Sequence, residues 1–198
     1  LHVRSRRQRQ MCIRDSAESP TVGAVAAVRS APVGDYKDLE TLREFARGKD
    51  VITFDHEHVP TEFLHTLIAE GVNVQPHPDA LQYAQDKLMM RQAVEDLGLP
   101  NPRWARVETL DELLAFGDEI GWPVVLKTPR GGYDGKGVMV LDSPQHAREQ
   151  ATAWFDELPH RTDFSALLAE EKVPFTRELS ALVARRESGQ VLPWPVVE

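Results

Sequence analysis

GWPVVLKTPRGGYDGKGVMVL, residues 121–141, is the stretch on which the fold turns. An apolar run, VVLK, ends on Lys127, a glycine-rich loop follows, and VMVL resumes as strand. A Walker A loop places four residues between its first Gly and the Gly-Lys pair, then Ser or Thr and a helix. Here three residues separate Gly131 from Gly135, Gly137 follows Lys136, and the next run is β-prone, so that loop is excluded. A dinucleotide fingerprint fails for the same reason, because no helix start follows. A plain hairpin turn is the simpler reading, but it needs only about one or two glycines for positive φ. Four glycines with Lys127, Arg130 and Lys136 stand within eleven residues of an acidic chain. That density predicts a flap whose bare amides and cations close over a polyphosphate. Tyr133 and Asp134 mark its tip, where Asp serves as a turn residue or, with Tyr133, touches a second substrate.

Downstream, Ser143-Pro144 reads as a cap and first helical residue, opening a helix to about Phe155. Three strand runs follow: ALLAEE, RELSALVAR (177–185) and QVLPWPVV (190–197), the last two joined as a hairpin at Glu187–Gly189. Within EEKVPFTRE, Glu170 closes one strand and Glu178 begins the next. Two solvated carboxylates would explain them. On a nucleotide reading, one accepts from an adenine amino group and the other holds ribose hydroxyls, with Val173 and Pro174 lining the base.

Upstream of the flap, Trp104–Val107 reads as strand and 110–120 as an amphipathic helix ended by Gly121 and Pro123. A single long helix is expected over 79–97. Before it, residues 36–75 alternate: a helix capped by Asp38, a strand at Val51–Phe54, a helix from Thr61 to Gly71, a strand at Val72–Val74. This rhythm predicts a parallel sheet covered by helices. Asp55, His56, Glu57 and His58 follow a strand end, where ligands gather in such sheets. Substrate contact by Glu57 is expected there, and a metal is not, since consecutive loop residues rarely converge. The fold class expected is thus α/β plus α+β: a remnant of a Rossmann-like parallel-sheet domain over 17–80, then a partial domain of mainly antiparallel sheet over 81–198.

Composition bounds the function. The chain has 198 residues, 41% hydrophobic and 27% charged, with a net charge of −8. Residues 1–16 hold five Arg and one Asp, which leaves 18 basic against 30 acidic residues for the rest. Phosphate-neutralising partners such as DNA or RNA want the opposite sign, so no nucleic-acid partner is expected. No apolar run approaches the roughly 20 residues that span a bilayer, so no membrane partner is expected either. The single cysteine, Cys12, excludes an internal disulfide. LHVRSRRQRQMCIRDS has no helical or strand period and is set apart as non-native or disordered sequence. An apolar finish without a polar tail, and the lack of an opening Gly-rich strand–turn, lead us to expect a fragment truncated at both ends.

The order of motifs DVITFDHEHVP, QDKLMMRQ, GLPNP, GWPVVLKTPRGGYDGKG, EEKVPFTRELS and VLPWPVVE, over about residues 30–198, resembles the ATP-grasp superfamily. Within it the run is similar to the 5-(carboxyamino)imidazole ribonucleotide synthases of purine biosynthesis. The resemblance implies a cytoplasmic carbon–nitrogen ligase that carboxylates 5-aminoimidazole ribonucleotide with ATP and bicarbonate through carboxyphosphate, working as a homodimer. It assigns Lys87 and Lys127 to the phosphates. The run Gly132, Tyr133, Asp134, Gly135, Lys136, Gly137 and Val138 is assigned to their cover. Glu170, Glu171, Lys172 and Val173 go to adenine and Glu178 to ribose. Glu57, Tyr133, Asp134 and Lys136 go to the imidazole ribonucleotide, and Lys127, Asp134 and Lys136 are the expected catalytic groups. Lys136 stands where relatives often carry Arg, Lys87 replaces a frequent Arg and Asp55 a frequent Glu. Magnesium is implied, with its ligands expected beyond Glu198, and this chain alone is expected to be inactive. Other ATP-grasp ligases, of the formate-dependent glycinamide ribonucleotide transformylase or biotin carboxylase type, share Lys127, Glu170 and Glu178. A non-catalytic nucleotide-binding module is the further alternative.

Overall fold

Asp38 lies three residues before Thr41, and its carboxylate accepts from the Thr41 amide at 2.9 Å and the Thr41 hydroxyl at 2.6 Å. That bond satisfies an amide otherwise orphaned at the start of helix α1, Leu39–Ala46. The computed structural model describes residues 33–54, 57–131 and 137–198. Gly132, Tyr133, Asp134, Gly135 and Lys136 of the expected flap lie outside them, as do Asp55 and His56. The chain divides into two compact units. Among the described residues the first holds 33–101 with 128–131, and the second 102–127 with 137–198.

In the first unit, α1 and α2 (Thr61–Ala69) bury Leu42, Ala46, Leu64 and Leu67. These join Ile52, Val59, Val74 and Leu81 in one apolar cluster. Among the described residues, parallel pairing between the two expected strands is a single bridge, Ile52 to Val74. The Ile52 amide donates to the Asn73 carbonyl at 2.8 Å, and the Ile52 carbonyl accepts from the Gln75 amide at 2.9 Å. Pro76 has no N–H with which to extend the ladder. The single helix expected over 79–97 is two, α3 at Pro78–Gln85 and α4 at Lys87–Asp96. Asp86 separates them with extended backbone, and its carboxylate caps the second by accepting from Leu88 at 3.0 Å and Met89 at 3.2 Å.

In the second unit, four antiparallel strands lie in the order β1-β4-β2-β3: β1 Trp104–Val107, β2 Val124–Lys127, β3 Val138–Leu141 and β4 Leu167–Glu171. Two helices, α5 (Leu110–Ile120) and α6 (Pro144–Glu157), cover one face. A reciprocal cap between Thr109 and Glu112 starts α5. Alternate residues Val107, Val124, Leu126, Leu141, Leu167 and Ala169 point at these helices and meet Leu113, Phe116, Ala147 and Ala151. Gly117 lets the Trp122 ring lie against α5: a Cβ there would stand 2.3 Å from the ring. The expected C-terminal strands shorten to β5 (Val183–Arg185) and β6 (Val191–Pro193), joined through Gly189 at φ 85°. Beyond them, Trp194 donates to Leu182 and Ser180 bridges to Val197. Pro193 and Pro195 lack the donors a regular ladder needs.

Candidate functional site

Antiparallel register puts the chemistry of the second unit on the sheet face turned away from α5 and α6. Val125 lies opposite Glu170, and Lys127 opposite Leu168, so these four share that face. Glu170 is the buried charged residue of the described chain, 3% exposed. Its Oε2 accepts from Lys127 Nζ at 2.5 Å. A carboxylate taken out of water is costly unless a cation and further hydrogen bonds meet it. The lysine at the end of VVLK answers that need while keeping its side chain 24% exposed. Two groups expected at one nucleotide, 43 residues apart in sequence, are therefore in direct contact.

The end of β4 is pinned separately. Glu171 accepts from the Arg103 amide at 3.0 Å and from Arg103 Nε at 2.9 Å, while Arg103 Nη2 donates to the Ile120 carbonyl at 2.9 Å. The Arg103 amide first, and its guanidinium second, hold the Glu171 carboxyl below the usual glutamate range. Past Glu171 the chain runs exposed: Lys172, Val173 and Glu178 all face solvent, and the Val173 carbonyl accepts from the Phe175 amide at 2.9 Å. Val138, at the start of β3, is also exposed, and Gly137 is buried.

In the first unit, the start of α4 holds the residues that lead into the glycine-rich run. The Lys87 amide donates to the Pro129 carbonyl at 2.9 Å, and Lys87 Nζ donates to the Gly131 carbonyl at 3.0 Å. Asp86 Oδ2 accepts from Arg130 Nε at 3.1 Å. Glu57 is half-buried, and its carbonyl accepts from Gln85 Nε2 at 2.7 Å. Among the described residues, no group of three or more His, Cys, Asp or Glu could hold a metal ion.

Asp86 and Arg103 are the positions that reading from sequence missed. An Asp directly before a helical run is a cap signal, but the pattern ran through it and the two helices merged into one. Arg103 follows Pro102 in a segment without period, and its partner lies 68 residues on. No local pattern marks such a pair.

Sequence models of two families match the chain. The ATP-grasp domain matches residues 92–198, and the ribonucleotide synthetase preATP-grasp domain matches residues 5–85. The N5-carboxyaminoimidazole ribonucleotide synthase of Mycobacterium leprae is 47% identical over 173 residues, which is 84% of this chain and 38% of that protein. Among solved structures, the N5-carboxyaminoimidazole ribonucleotide synthetase of Thermus thermophilus superimposes with a TM-score of 0.75 at 29% identity, covering 90% of this chain and 45% of that one. The Aspergillus clavatus N5-carboxyaminoimidazole synthase, solved with ADP and 5-aminoimidazole ribonucleotide, gives a TM-score of 0.73 at 26% identity and covers 92% and 45%. The chain spans about two-fifths of the length of the curated relatives it matches.

Proposed function

The chain belongs to the ATP-grasp family, and from that premise we propose that it binds ATP and serves the carboxylation of 5-aminoimidazole ribonucleotide by bicarbonate. The products are 5-(carboxyamino)imidazole ribonucleotide, ADP and phosphate. A bicarbonate oxygen attacks the γ-phosphorus, the bond to ADP breaks, and carboxyphosphate forms. The ribonucleotide amine then attacks its carbonyl carbon and phosphate leaves. Such a sequence asks the protein mainly for positioning and for cations where charge develops.

The observation that carries this reading is the Lys127 ammonium, partly exposed at a strand end beside the buried Glu170, in a sheet of the ATP-grasp family. Lys127 is assigned to phosphate oxygens. Lys87 carries the second ammonium that the family resemblance gives to phosphate. The end of β4 and the exposed stretch after it, Glu170 and Glu171 through Lys172 and Val173, are assigned to adenine, and Glu178 to the ribose hydroxyls. Glu57 is assigned to the ribonucleotide substrate, with Tyr133, Asp134 and Lys136 as sequence-based assignments. Magnesium, the usual companion of ATP in such chemistry, would neutralise charge between the phosphates, and the residues above would contribute direct charge and hydrogen bonding.

Binding to the folded state raises thermal stability, by about 2.7 kcal/mol at a ligand concentration 100 times Kd. ATP and 5-aminoimidazole ribonucleotide, each added alone, are expected to raise the melting temperature. Lys127→Ala is expected to abolish the ATP shift and leave the ribonucleotide shift intact. A shift with glycinamide ribonucleotide or biotin in place of 5-aminoimidazole ribonucleotide would move the chain to another acceptor. No shift with ATP would end the nucleotide reading.

A further inference from the structure

We infer that Asp86 is a positioning residue for phosphate binding: its two carboxylate oxygens together set the Lys87 ammonium against the head of the glycine-rich run. The inference rests on the ATP reading above, which gives Lys87 to phosphate, and deepens it. Asp86 stands between α3 and α4 with extended backbone, φ −129° and ψ 111°. Its Oδ1 accepts from the Leu88 amide at 3.0 Å and the Met89 amide at 3.2 Å, which meets two amides otherwise orphaned at the start of α4. Its Oδ2 accepts from Arg130 Nε at 3.1 Å. Capping uses the first oxygen alone. The second makes a contact that capping does not explain.

Three consecutive residues are held at this one turn. The Pro129 carbonyl accepts from the Lys87 amide at 2.9 Å, Arg130 reaches Asp86, and the Gly131 carbonyl accepts from Lys87 Nζ at 3.0 Å. Lys87 directly follows Asp86, so the capped first turn of α4 fixes where its backbone stands. The Arg130 pair fixes the neighbouring carbonyl on which its ammonium rests. That carbonyl is a neutral acceptor, and a phosphate oxygen, being charged, makes the stronger bond to an ammonium. An ammonium has three donors, so phosphate can be met from the place the carbonyl defines. The Asp86 side chain is 14% exposed and that of Arg130 is 44%. Water partly screens such a pair, which limits its worth to several-fold in affinity.

Asparagine separates the two jobs, because it caps a helix as well as aspartate does but brings no charge to Arg130. Affinities of the wild-type chain and of Asp86→Asn for ATP and for adenosine are measured by calorimetry. We expect roughly a three- to tenfold loss for ATP, in the lower part of the range for coupled contacts, and unchanged adenosine binding. Adding Asp86→Asn to Lys87→Met is expected to cost nothing more, since the group being positioned is gone. Should the Asn variant fail to fold, Arg130→Gln, which leaves the cap untouched, is expected to give the same split between ligands and the same silence in the Lys87→Met background. Equal losses for ATP and adenosine, an unchanged ATP affinity, or a full additional loss in the Lys87→Met background would overturn the inference and leave ATP binding standing. A wild-type chain that binds neither ligand would remove the nucleotide reading and this inference together.

Discussion

The four-stranded sheet and the β5–β6 hairpin are written in nearly the same residues and end in opposite environments. VVLK of β2 and VLP of β6 are both short, apolar and rich in β-formers, and both pair antiparallel. Val124 and Leu126 are completely buried, whereas Val183 and Leu192 are 62% and 54% exposed. The difference lies in what covers them. Amphipathic α5 and α6 lay their apolar faces on the first sheet, while β5 and β6 take no part in either core cluster. Backbone preference is enough to make a strand, and only a second layer makes a core.

Truncation at matched positions gives the largest test of that contrast. Leu126→Ala is expected to cost about 3 kcal/mol, since a leucine without solvent contact leaves a cavity that neighbours only partly fill. Leu192→Ala should stay within about 0.5 kcal/mol, as for exposed positions generally. Urea unfolding followed by circular dichroism measures both, and similar losses would mean that the hairpin is covered in solution.

The glycines sharpen the same contrast at smaller scale. Gly117→Ala drives a methyl into the Trp122 ring, and overpacking of this kind costs about 1–3 kcal/mol. Gly189→Ala meets open space, with only the positive φ of 85° against it, a penalty of about 1 kcal/mol confined to the turn. Melting temperatures should rank the first below the second. The reverse order would place the tighter packing in the hairpin.

A third, smaller effect follows from the join between the sheet and the exposed segment. Arg103 holds the Glu171 carboxyl below its ordinary value of 4.5. A carboxyl lowered in the folded state stabilises fully above its unfolded value and loses that contribution as pH falls through the lower, folded one. Stability should therefore soften on the acid side of about pH 4.5. The Arg103 amide resonance, which reports a 3.0 Å bond to Glu171 Oε1, should move over the same window. In Glu171→Gln that titration should vanish, and an unchanged profile would assign it to another carboxylate.

Much of this was legible before any coordinates. Strands at 104–107, 124–127 and 138–141 and the helix opened by Ser143-Pro144 stand where periodicity and capping put them. Lys127 and Glu170 were marked by their places at strand ends. The break at Asp86 was not read, because a cap inside a continuous apolar pattern is outweighed by the pattern on either side. Among the described residues the expected parallel pairing is one bridge at Ile52 and Val74, since alternating helix and strand signals give the order of elements but not the extent of their pairing.

By itself the chain's text determined its family, the order of its elements and the chemical types available: an ammonium before a glycine-rich run and carboxylates at a later strand end. These are local properties, written in spacing, propensity and charge. Only the tertiary structure decided which carboxylate meets which cation. Glu170 takes Lys127 and Glu171 takes Arg103, from 43 and 68 residues away. Adjacent residues of one strand point to opposite faces of a sheet. Antiparallel register therefore sent two neighbouring glutamates to two different partners, and burial of the first required the partner that it found.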